Sequence, residues 1–165
     1  MSTLRFPDID IPSTDGTPFN AAAVRGKTLI VYFYPKDNTP GCTTEAQEFR
    51  DLHDEFVKAG GVVLGVSRDS LASHEKFKAK HALPFALLSD ADERLCTHFG
   101  VIKDKKLYGK PVRGIERSTF VFDGNGQLLR EWRGVKAPGH AQEVLDFVLD
   151  FVLDFVLDFV RASAH

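Results

Sequence analysis

The chain has 165 residues, 43% of them hydrophobic and 27% charged, enough for one domain with a real core and too few for two. A formal net charge of -2 provides neither the basic excess that draws nucleic acid nor an acidic tail. Two cysteines, Cys42 and Cys96, are too few for a disulfide framework and too far apart for a CxxC pair or a zinc cluster.

The opening "MSTLRFPDIDIPSTDG" has no apolar run of signal-peptide length, so the expected address is cytoplasmic. "KTLIVYFYP" (27–35) is almost continuously apolar and predicts a central strand buried on both faces. The loop "KDNTPG" follows. From Cys42 onward, Ala46, Phe49, Leu52 and Phe56 recur every three or four residues and mark the buried stripe of a helix that stops at Gly60-Gly61.

"GVVLGVS" (61–67) is a second strand, and Asp69 or Ser70 is the expected N-cap of a polar, surface-lying helix over "DSLASHEKFKAKHA". "PFALLSD" reads as a short strand, "ADERLCTHFG" as a short helix closed by Gly100, and "STFVFDGNGQLLREWRG" as a hairpin. A last helix begins near His140. Strands alternating with helices, then a hairpin and a closing helix, predict an α/β domain whose central mixed sheet is flanked by helices. Periodicity leaves other small α/β folds open; the terminal antiparallel hairpin favours the thioredoxin-like one.

"VLDFVLDFVLDFVLDF" (144–159) is one tetrapeptide four times over. On a helix each copy advances about 40° past a full turn, so Asp146, Asp150, Asp154 and Asp158 form a slanting stripe on an apolar cylinder. Each Asp would cost about 2.5 to 3.5 kcal/mol at bilayer depth, which argues against a membrane span. The expected division is a domain over 1–149 and a helical extension over 150–165, docked on another chain or poorly ordered beyond the first copies.

The chemistry centres on "YFYPKDNTPGCTTEAQEFRD" (32–51). A free thiol is roughly 3% ionised at neutral pH, and the first turn of a helix offers unpaired N–H groups and the positive end of the dipole, which favour the anion. Placed there, Cys42 is expected to be a reactive sulfur exposed to small oxidants. Alone it could equally be an incidental surface thiol, Thr39 an ordinary N-cap, and Pro35 a strand terminator. Glu45 could simply complement the helix dipole, and Arg117 could be a surface charge.

The spacing of Pro35, Thr39 and Cys42, together with "GVSRDSLASHEKF", "LLSDADERLCTHFGV" and "GIERSTFVFDGNG", resembles the peroxiredoxins, in particular the peroxiredoxin Q or bacterioferritin-comigratory branch, up to about Leu149. The resemblance implies a thioredoxin-like fold and a peroxidase in which Cys42 attacks hydrogen peroxide or an organic hydroperoxide and becomes a sulfenic acid. Thr39 would orient the peroxide, Arg117 would hold the anionic sulfur and the departing oxygen, Glu45 would steady Arg117, and Pro35 would shield the site. Many members of this branch carry a resolving cysteine where this chain has Gln47. Cys96, beside Leu95 and Phe99, reads as a buried structural thiol. A one-cysteine mechanism follows, recharged by thioredoxin or by glutaredoxin and glutathione, in a monomer or weak homodimer.

The six histidines show no arrangement in the sequence that suggests a site, so no metal is expected, and neither glycine turn has phosphate-loop spacing, so no nucleotide cofactor is expected either. No nucleic-acid or membrane partner is implied. The competing reading is a redox sensor or holdase that associates when Cys42 is oxidised.

Overall fold

The structure is a computed structural model in which residues 4–163 are described. Six buried residues form β1, Thr28–Phe33, the middle strand of a five-stranded sheet. Parallel to it run β2, Gly61–Ser67, and beyond that β3, Ala86–Ser89. On its other side β6, Ser118–Phe122, and β7, Leu128–Arg133, form an antiparallel hairpin, giving the order β3-β2-β1-β6-β7. β4, Ile102–Leu107, and β5, Lys110–Ile115, pair as a separate ribbon. No element was expected there: "IKDKKLYGKPVRGI" alternates with few apolar residues and carries no core stripe.

Alternation along β1 divides the core in two. Ile30 and Tyr32, with Tyr34 just beyond the strand, face α1, Pro40–Lys58, α2, Leu71–His81, and α4, His140–Ser163. Leu29, Val31 and Phe33 face the N-terminal segment and α3, Arg94–Phe99. Gly65 on β2 lets Tyr32 lie flat: a Cβ there would fall 2.9 Å from the ring, while the ring stacks on Phe49 at 4.6 Å. The expected surface helix α2 nonetheless buries two side chains, His74 and Phe77, and Ser70, not Asp69, is its N-cap, accepting from Ser73 N–H.

α4 is one continuous helix. Its first turns bury His140, Ala141, Val144, Leu145 and Val148, whereas Leu153, Phe155, Val156, Leu157, Phe159 and Val160 are exposed. Among the described residues, no helix is long and apolar enough to cross a membrane.

Candidate active site

The site forms where β1 ends and α1 begins, at the carboxyl edge of the parallel strands, where α/β sheets open a crevice. Thr39 is the N-cap of α1 and Pro40 and Gly41 open it, so the helix starts two residues before Cys42. Arg117 is 75 residues from Cys42 in sequence, but the antiparallel register pairs Phe33 with Ser118. The residue before β6 therefore sits beside the end of β1.

The guanidinium spans two partners. Arg117 Nη1 donates to Glu45 Oε1 at 2.6 Å, and Nη2 donates to Cys42 Sγ at 3.4 Å. Burial works against the charge of Arg117, but Glu45 and Cys42 outweigh it and hold the group above its ordinary value. A Cβ on Gly41 would lie 3.1 Å from Nη2, so glycine leaves the arginine room to reach the sulfur. Glu45 is fully buried and its second oxygen has no partner. Burial raises its carboxyl to about 7 despite the opposing pull of Arg117, and Glu48 adds to the rise.

Thr39 and Pro35 lie on the same loop, just ahead of Cys42. Thr39 Oγ1 donates to the Lys36 carbonyl at 2.8 Å and makes no cap bond, so its hydroxyl oxygen is not committed to the helix backbone. Pro35 is exposed at the mouth of the loop. The expected openness of the sulfur is corrected: Cys42 is only 1% exposed, because its side chain turns inward onto the Tyr32 and Phe49 cluster.

Cys96 lies in the other half of the core. The two thiols lie in clusters on opposite faces of the sheet, so reaching the roughly 7 Å between Cα atoms that a disulfide needs would take a rearrangement. Burial, then Asp90, pushes the Cys96 thiol well above its ordinary range, which makes it a poor nucleophile.

The sequence reading missed one constellation. His74, distant in sequence, is gathered with Asp37 and Asp69 directly behind the loop. The signal available was the i,i+3 spacing of His74 and Phe77, which puts both on the inward face of α2.

A sulfur at a helix N-terminus, spanned by a half-buried arginine at the edge of a thioredoxin-like sheet, is the equipment of a thiol-dependent peroxidase. Residues 3–130 match the AhpC/TSA family. The chain is 53% identical over 138 residues to peroxiredoxin Bcp of Xanthomonas campestris pv. campestris, covering 84% of this chain and 86% of that one. It is 49% identical to peroxiredoxin Bcp of Bacillus subtilis, covering 84% and 88%. Among solved structures it superposes on the bacterioferritin comigratory protein of Xanthomonas campestris, described for its alkyl peroxide reduction activity, with a TM-score of 0.86, 47% identity and coverage of 92% and 99%. The chain belongs to the AhpC/TSA family, as a peroxiredoxin similar to the Bcp proteins, and is a hydroperoxide reductase that uses thiol chemistry.

Proposed function

We propose that Cys42 is the sulfur that attacks the hydroperoxide, in a one-cysteine cycle completed by an external thiol. The thiolate attacks one oxygen of ROOH; an S–O bond forms, the O–O bond breaks, and the departing RO⁻ takes a proton to leave as water or alcohol. Sulfur is oxidised to the sulfenic acid and the peroxide is reduced. Arg117 meets the negative charge as it passes from sulfur to oxygen, Thr39 Oγ1 can turn from Lys36 to orient the peroxide, Glu45 holds the arginine, and Pro35 closes the exposed side. The observation that carries this reading is the single guanidinium bound to both Glu45 Oε1 and Cys42 Sγ.

The sulfenic acid then condenses with an outside thiol, releasing water and leaving a mixed disulfide that a second thiol reduces. Thioredoxin, or glutathione with glutaredoxin, supplies both thiols. A cytoplasmic location, where these systems keep cysteines reduced, suits two free thiols. A sulfur 1% exposed meets a small peroxide after slight adjustment, but a protein thiol needs the first turn of α1 to open. Peroxide consumption with thioredoxin, its reductase and NADPH, or with glutathione and glutaredoxin, tests the assignment. Cys42→Ser should abolish turnover with both reductants and Cys96→Ser should keep most of it; a Cys42–Cys96 disulfide on a non-reducing peptide map would overturn the one-cysteine cycle.

A further inference from the structure

The loop between β1 and α1 is held from behind by a buried charged network that touches none of the reacting groups. Asp37, in the middle of that loop, is 5% exposed although its neighbours Lys36 and Asn38 are exposed. Its carboxylate accepts from Tyr34 Oη at 2.6 Å and from Ser73 Oγ at 2.8 Å, and it lies 2.8 Å from His74 Nδ1. His74 is wholly buried, and its Nε2 lies 2.9 Å from the Leu88 carbonyl. A carbonyl oxygen can only accept, so Nε2 carries a hydrogen, and the carboxylate takes the hydrogen of Nδ1 on the other side. The ring is clamped between β3 and the loop.

A second anchor acts on the backbone of the same residue. Asp37 N–H donates to Asp69 Oδ2 at 2.9 Å, and Ser67 Oγ donates to that oxygen at 2.6 Å. The next residue, Asn38, has a φ of 64°, the left-handed turn that asparagine accepts more readily than other residues with a side chain. Thr39 and Cys42 follow directly, so the position of Asp37 sets where the N-terminus of α1 presents the sulfur to Arg117.

We propose that His74 and Asp37 are positioning residues for peroxide reduction: their buried pair, tied to β3 through Leu88, fixes the loop that carries Thr39 and delivers Cys42 to Arg117. This rests on the assignment of Cys42 as the attacking sulfur. A displacement near 1 Å at a reacting centre can cost about a hundredfold in rate, so loosening the clamp should slow the chemical step and not merely destabilise the fold.

The test measures the second-order rate constant for oxidation by hydrogen peroxide, by stopped flow at a temperature well below every variant's melting point, for wild type, His74→Gln, Asp37→Asn, the double variant and Cys42→Ser. Asp123→Ala removes the carboxylate that caps the β6–β7 turn through Asn125 N–H and Gln127 N–H, at the far end of β6 from Arg117, and serves as a destabilised control. Each single variant of the pair should oxidise about 10- to 100-fold more slowly, the double variant should be no slower than the worse single one, and Asp123→Ala should melt earlier with an unchanged rate constant. Wild-type rates in His74→Gln and Asp37→Asn, beside an inert Cys42→Ser, would overturn the proposal and leave the assignment of the sulfur standing. Equal slowing in Asp123→Ala would also overturn it, since destabilisation alone would then explain the loss. Full reactivity in Cys42→Ser would overturn both.

Discussion

Glu45→Gln isolates the one carboxyl of the site whose titration falls near neutral pH. In the folded chain Glu45 titrates at about 7, against 4.5 for the ordinary side chain. Between those values the folded state keeps a proton that the unfolded chain has released, so stability falls as pH rises through the window and is fully reduced above it. The penalty is on the order of 1 kcal/mol at pH 5 and about 3 kcal/mol at pH 8, from 1.36 kcal/mol per pH unit applied to the two titrations. Glutamine keeps an oxygen for Arg117 Nη1 and cannot ionise. The stability of the variant relative to wild type should therefore rise by roughly 2 to 3 kcal/mol from pH 5 to pH 8, or on the order of 5 to 10 °C in melting temperature for a chain of this size. Urea unfolding of both proteins at four pH values reads it directly. His53, His81 and His140, each held below its ordinary value first by burial, titrate in both proteins and cancel in the comparison. Parallel curves, or divergence in the opposite sense, would refute the reasoning.

Arg117→Lys replaces a planar fork, whose two nitrogens bond Glu45 Oε1 and Cys42 Sγ separately, with a single point-like ammonium that loses this geometry; peroxide oxidation should slow about a hundredfold, with melting temperature much less affected. Gly41→Ala puts a methyl 3.1 Å from Arg117 Nη2, and the displaced guanidinium should slow oxidation about three- to tenfold, as measured by stopped flow, while the helix gains a better former. Ending the chain after Val152, the last residue of α4 packed on the core, should leave turnover within about twofold of wild type and reduce self-association in light scattering, because the residues removed are an exposed apolar helix.

The sheet was legible wherever burial imposed a period. β1 showed as an unbroken apolar run and α1 as a stripe at Ala46, Phe49 and Phe56, because both faces of one and a single face of the other lie in the core. The β4–β5 ribbon escaped because most of β5 is exposed and a solvated strand has no apolar signature. Cys42 stood out at a helix N-terminus, but Arg117 was joined to it only through a family pattern: no periodicity links residues 75 apart, and the antiparallel register of β1 and β6 that joins them is a tertiary fact. The inward turn of Cys42 was hidden for the same reason, since a helix N-terminus in a sequence does not say which way its first turn faces. His74 and Asp37, 37 residues apart, form a pair that exists only once α2 has packed beneath the loop.

Treating the reduced protein with one equivalent of hydrogen peroxide in the presence of dimedone, then locating the adduct by peptide mass spectrometry, tests the central claim most directly. The account predicts a stoichiometric adduct on Cys42 and none on Cys96. An adduct on Cys96, or a Cys42 left unmodified while peroxide is consumed, would contradict it.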